Sequence, residues 1–264
     1  MKNSKFASAL CLISSFATAS FPVFAAEGAT AAPAPVAAAP ATVEETKQNH
    51  VNVGEHIANG QLIFSEGKGE AAACMGCHGE KALGNDAMGA PRLANLGYAY
   101  VQKQLNDFAA DRRTPSGVGA AMNGFAKALS ERDRSDVATY LNTLEMASEP
   151  SDLKALAADG QKVGQPELGK VIVTEGIKGR LPPCQACHGF NGRDPRFPRI
   201  NQQRYVYLVN QLNSWRDGSR ANDPVVEQQG IMRRIAKKLS DDDIINIAAF
   251  LSTSPSTSPT GDGQ

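Results

Sequence analysis

Two stretches of this 264-residue chain are built to one pattern. The first reads CMGCHG, then PRLANLGYAYVQKQLNDF, then AAMNGFAKALSERDRSDVATYL. The second reads CQACHG, then PRINQQRYVYLVNQLNSW, then QGIMRRIAKKLSDDDIINIAAFL. Cys184 follows Cys74 by 110 residues. The offset falls to 107 where Pro91, Tyr98, Gln104, Leu105 and Arg113 match Pro198, Tyr205, Gln211, Leu212 and Arg220, and it returns to 110 at Met122 and Met232. A loop difference before the middle segment is thus cancelled by one after it. Self-similarity of this kind predicts two structural units of the same build.

Each unit reads as helical. Tyr100, Val101, Leu105 and Phe108 share one helical face, and Leu208, Leu212 and Trp215 repeat it. Ser130 and Ser240 have Asp133 and Asp243 three residues on, an Asp version of the capping box. They open a last helix in each half, along Val137, Tyr140, Leu141 and Leu144, and along Ile244, Ile247, Ala248 and Leu251. A short apolar helix is expected before each cysteine pair, around residues 57–64 and 168–173. No alternating strand pattern stands out, so the expected class is all-α.

The cysteine pairs carry the chemistry. Cys-x-x-Cys-His is the attachment motif for a c-type haem. Two thiols three positions apart on one turn reach the two vinyl-derived carbons at one porphyrin edge, and the adjacent imidazole then lies under the iron. Cys74, Cys77 and His78 form one such set, and Cys184, Cys187 and His188 the other. A four-cysteine zinc site needs both pairs on one metal and no histidine after each. A thiol redox site wants a βαβ context that is missing. Aromatic residues are only 6% of the chain. Two domains of about 100 residues have small cores, and two buried haem c groups would supply apolar material.

The sixth iron ligand follows from the repeat. Among Met75, Met88, Met122, Met146 and Met232, only Met122 and Met232 share a repeat position, each 44 residues after its histidine. His78 and Met122 are therefore the expected axial ligands of one iron, and His188 and Met232 those of the other, with Met88 the rival in the first half. A thioether favours ferrous iron and raises the reduction potential. The other imidazole N–H of each ligand needs an acceptor, commonly a backbone carbonyl, and Pro91 and Pro198 are placed to offer one. Arg92 and Arg199 are read either as propionate partners or as solvated cations. Tyr98, Tyr100, Tyr205 and Tyr207 are read as propionate donors, as residues of the contact between halves, or as packing. His50 and His56 have no counterpart in the second half and read as surface residues.

The ends of the chain read differently. Lys2 and Lys5 precede an apolar stretch from Phe6 to Phe24, and Val23-Phe24-Ala25 suits a signal peptidase, so residues 1–25 are expected to be a cleaved signal. Residues 26–48 include an Ala/Pro tract that cannot bury a core and reads as a tether. The expected domains are then 49–147 and 166–254, with a linker at 148–165 and a flexible tail at 255–264. The mature protein is expected to be soluble in the periplasm. Net charge is zero, which gives no basic excess for nucleic acid. The charge is unevenly spread, however. Residues 44–150 hold 14 acidic and 10 basic side chains (net −4), and residues 151–264 hold 12 and 15 (net +3). Such polarity can orient docking or simply help the halves pack.

These motifs, with the YxYxxxQL segments, the WRDGSR stretch and the methionines before an LS-capped last helix, make the chain resemble the dihaem cytochrome c4 family from about Gly54 to Leu251. The resemblance implies two tandem cytochrome c-like domains about a pseudo-twofold axis, His/Met ligation at both irons, and periplasmic electron transfer in a respiratory chain to a terminal oxidase or similar acceptor. AADRR in place of RDGSR in the first half, and PRLANLG and PRINQQ in place of P-x-L-A-G-Q, depart from the family pattern. The expected partners are redox proteins, an upstream cytochrome or dehydrogenase and a downstream oxidase, with any membrane association through a partner. Two alternatives stand beside this carrier: a subunit fixed to a dehydrogenase or oxidase, and a dihaem redox enzyme, which would need an open iron position.

Overall fold

The structure is a computed structural model that describes residues 43–145, 147–189, 197–226 and 228–255, with side chains from Val53 onward. The expected signal, most of the tether and the tail past Pro255 lie outside the described residues. Thr42–Gln264 form one compact unit, and two similar helical arrangements follow each other within it.

In the first half, α1 (Val43–Glu66) leads to a single turn α2 (Met75–His78), then α3 (Tyr98–Ala109), a 3-10 turn (Gly117–Ala120), α4 (Ala121–Ala128) and α5 (Glu131–Thr143). In the second, α7 (Pro166–Glu175), α8 (Gln185–His188), α9 (Tyr205–Asp217), α10 (Ile231–Ala236) and α11 (Asp241–Thr253) repeat the order. Between them α6 (Leu153–Ala158) occupies the segment expected to be a linker. Its N-cap Asp152 accepts from Lys154 N and Ala155 N, and Leu156 is buried in the second core.

Each half is closed by a helix crossing made at a glycine. A Cβ on Gly60 of α1 would stand 2.1 Å from the Asp136 carbonyl oxygen of α5, and one on Gly169 of α7 would stand 1.9 Å from the Asn246 carbonyl oxygen of α11. The backbones touch there. Mid-helix glycine costs about 1 kcal/mol against alanine, and the close approach it permits brings Ile63, Phe64, Val137 and Leu141 into one core and Ile172, Val173, Ile247 and Leu251 into the other.

The last helices start as their sequences indicate. Ser130 and Ser240 each accept from the backbone N–H three residues on, and Asp133 and Asp243 return the bond to the N-cap N–H, so both boxes are complete. The all-α class holds, with one small addition. The extra residues after α9 form a hairpin of two short strands, β1 (Val225–Val226) and β2 (Gln229–Gly230), where the first half has its 3-10 turn. Strands of two residues leave no periodicity to read.

Candidate haem sites and the interface between them

Each Cys-x-x-Cys-His folds into one tight turn. His78 N donates to Cys74 O at 3.0 Å and His188 N to Cys184 O at 3.1 Å, which brings the two thiols and the imidazole of each motif onto one short element. Burial pushes the Cys74 and Cys184 thiols up to about 11. That is the behaviour of a thiol in an apolar wall, opposite to the lowered values of redox or metal thiolates. Among the described residues no group of three or more His, Cys, Asp or Glu side chains is placed to hold a metal ion, so the two pairs do not converge on a shared zinc.

The histidines are fixed by the prolines. His78 Nδ1 donates to Pro91 O at 2.9 Å, and His188 Nδ1 donates to Pro198 O at 2.8 Å. This leaves the Nε2 lone pair of each ring for a metal. Both rings are almost fully buried, and burial lowers their basicity against the smaller opposing effect of the carbonyl. A neutral imidazole oriented through its far nitrogen is the form that ligates iron.

In the second half one cleft gathers the expected ligand set. Cys184, Cys187, His188 and Met232 line a cleft that opens to solvent, walled by apolar side chains such as Leu208, Trp215 and Ile247. Two thiols at one end, a neutral imidazole and a thioether around an apolar slot fit a covalently bound haem with His/Met ligation. Met122 and Met232 both sit half-buried at the second position of a helix, α4 and α10. Met88 is 38% exposed, and Met146 lies outside the described residues.

First-half residues complete this cleft. Leu96, Tyr100, Lys103 and Gln104 contribute to its wall, because α3 and α9 face each other across the contact between halves. The contact is reciprocal. Arg113 donates to Gln104 Oε1 of its own half at 2.8 Å, and to Tyr207 OH at 3.1 Å and Gln211 Oε1 at 2.8 Å of the other. Arg220 donates to its own Gln211, and to Tyr100 OH at 3.0 Å and Gln104 Oε1 at 3.1 Å across the contact. Each guanidinium also lies over an aromatic ring of its own half, Arg113 over Phe108 at 4.6 Å and Arg220 over Trp215 at 4.2 Å. Both arginines are buried.

Three readings of the sequence change here. Arg92 is neither solvated nor set aside for a propionate. It is 2% exposed, and its guanidinium donates to Gln202 O, Gln202 Oε1 and Ala147 O, while its backbone exchanges bonds with the Gln203 amide. Arg199 lines the cleft. Of the four tyrosines, Tyr100 and Tyr207 belong to the contact between halves, whereas Tyr98 OH pairs with Ser135 Oγ and Tyr205 OH donates to Lys162 O. His56 is not a bare surface residue: its Nδ1 bonds to the fully buried Asp136, which Asn59 also reaches at 2.6 Å. His50 lies outside the described side chains. The glycine crossings and the crossed arginines went unassigned in the sequence, although Arg113 and Arg220 occupy one repeat position and that match was the available signal.

Comparison with known proteins gives the same result twice along the chain: the family model for cytochrome c matches residues 57–145 and again 166–255. The chain belongs to the cytochrome c family, as a tandem member of the dihaem cytochrome c4 type. It carries two haem c groups, one per domain. The cytochrome is 35% identical over 195 residues to a "thiosulfate dehydrogenase electron acceptor" of Thiomonas intermedia, covering 72% of this chain and 82% of that one. It superposes on reduced cytochrome c4 from Pseudomonas stutzeri with a TM-score of 0.58 at 30% identity, covering 74% of this chain and 97% of that one. It also matches a thiosulfate dehydrogenase (TsdBA) structure from Marichromatium purpuratum at a TM-score of 0.67 and 28% identity, covering 77% of this cytochrome but only 41% of that longer chain. The cytochrome is thus a dihaem electron-transfer protein.

Proposed function

We propose that this cytochrome is exported to the periplasm and carries electrons in a respiratory chain from a dehydrogenase to a terminal oxidase or similar acceptor. The dehydrogenase best supported as donor is one acting on thiosulfate, because the Thiomonas relative is named as the acceptor of such an enzyme. The carrying observation is the gathering of Cys184, Cys187, His188 and Met232 on one apolar cleft, with the same four residue types at the matching places of the first half. In this reading Cys74, Cys77, Cys184 and Cys187 hold the haems covalently, His78 and Met122 ligate one iron, and His188 and Met232 the other. Haem iron supplies a one-electron ferric/ferrous couple. The protein's part is to fill both axial positions and bury the ring in low dielectric, which favours electron exchange and leaves no site for substrate.

The test is the visible spectrum of the dithionite-reduced protein before and after carbon monoxide at neutral pH. An unchanged spectrum supports the carrier, and a shift in half of the haem overturns it in favour of an enzyme with one open iron. Reduction of the oxidised protein by a purified thiosulfate dehydrogenase and thiosulfate, at a rate faster than by thiosulfate alone, tests the donor.

A second reading, a subunit fixed to its dehydrogenase, is favoured by the Marichromatium match, in which the cytochrome corresponds to part of a longer chain. Co-purification of a tagged cytochrome with a dehydrogenase at constant stoichiometry through gel filtration distinguishes it from a diffusing carrier.

A further inference from the structure

The two halves lend each other a helix face, but not the same charge. Along α3 and α9 the repeat offset is 107 residues, so Lys103 matches Asn210, Asp107 matches Ser214 and Arg112 matches Ser219. The first-half set holds two cations and one carboxylate; its counterpart is neutral.

The arrangement of the charged set is directional. Lys103 lines the cleft of the second half. Asp107, one turn further along α3, is 3% exposed and does not line the cleft. It is bonded to Lys103, to Arg112 Nε at 2.8 Å and to Asn222 Nδ2 at 2.6 Å. Lys103 Nζ also donates to Asn222 O at 2.7 Å, so the second half grips the ammonium where it lies. The cation therefore faces the cleft, with its carboxylate behind it. The other charges on that wall have different origins. Arg220 has its twin in Arg113, Asp223 is neutralised by Arg233 at 2.9 Å, and Arg199 is the second half's own cation, which leaves Lys103 as the cation of that wall lent by the first half without a charged twin.

We propose that Lys103, a first-half residue, raises the reduction potential of the second-half haem. The proposal rests on the two-haem His/Met reading. Reduction adds one electron, and one negative charge, to the haem; a cation held at the rim of its cleft favours the state that carries the extra electron, by an amount that solvent screens in part. Lys103 acts through space as a positioning charge, and ligation is untouched.

The test is a mediated redox titration of the complete holoprotein, read at the reduced α-band. Each wave is assigned by the fall of its potential in Met122→His or Met232→His. Lys103→Asn, which copies the residue of the other half, lowers the second-half wave and leaves the first in place; Lys103→Arg restores it; Asn210→Lys raises the first-half wave. A second-half wave that does not move in Lys103→Asn, or two waves that move equally, overturns the proposal. Fewer than two c-type haems per chain by pyridine haemochrome overturns the two-haem reading and the proposal with it.

Discussion

A proline carbonyl decides the chemistry of each histidine. Because His78 and His188 spend Nδ1–H on Pro91 and Pro198, their Nε2 atoms are presented as bases, and in the proposed ligand set the thioethers of Met122 and Met232 close the opposite faces. Met232→Ala should therefore let carbon monoxide bind about half of the reduced haem, visible as a Soret shift, with the first-half haem unaffected. A second residue-scale prediction concerns Asp133. Burial pushes its carboxyl up, but Lys68, Ser130 and Asn59 outweigh that and pull it down to about 2. A carboxyl depressed on folding contributes stability that is complete above its unfolded value near 4 and is lost as the pH falls towards 2. The urea midpoint should drop between pH 5 and pH 2, and Asp133→Asn should flatten that dependence. These residues differ in how legible they were. The paired methionines and prolines could be read because the repeat sets each beside a twin. Arg92 could not, because a sequence does not say that Gln202 and Gln203 of the other half, with Ala147 at the end of its own, will meet it, and His56 could not, because its partner Asp136 is 80 residues away.

At the scale of elements, α1 on α5 and α7 on α11 are set by Gly60 and Gly169. An alanine at either site puts a methyl into the facing carbonyl, and overpacking of this kind costs about 1–3 kcal/mol. Gly60→Ala and Gly169→Ala should each lower the denaturation midpoint of the holoprotein, whereas alanine at Gly124, with nothing within 4 Å of its Cβ position, should not. Removing a cap tests the same helices from their ends: Ser130→Ala and Ser240→Ala should each cost about 1 kcal/mol. The helices themselves were readable from their apolar spacing and their capping residues. The crossing points were not, because a glycine inside a helix looks like a defect until the opposing backbone is seen. Nor was the hairpin after α9, where length differed between the halves but pattern was absent.

Across the whole molecule, the contact between halves is polar and buried, and its cost of disruption is asymmetric. Arg113→Ala would take one donor each from Tyr207, Gln211 and Gln104, leaving Arg220 alone to bridge the halves at the glutamines, and the loss of one partner from such a network costs on the order of 1–3 kcal/mol. Chemical denaturation of Arg113→Ala should show the two domains melting separately where the parent protein melts in one step. The pairing also has the symmetry of a homodimer, since each arginine finds in the other half the same tyrosine and glutamine that the other half finds in its own. Two separate copies held by such a patch would part on dilution. Carried on one chain, each meets the other at an effective concentration on the order of millimolar whatever the protein's abundance, so a cytochrome that works at low copy number keeps both its halves together. Fusion also ends the requirement that the two faces stay identical, and the lysine and asparagine at positions 103 and 210 are what that freedom permits.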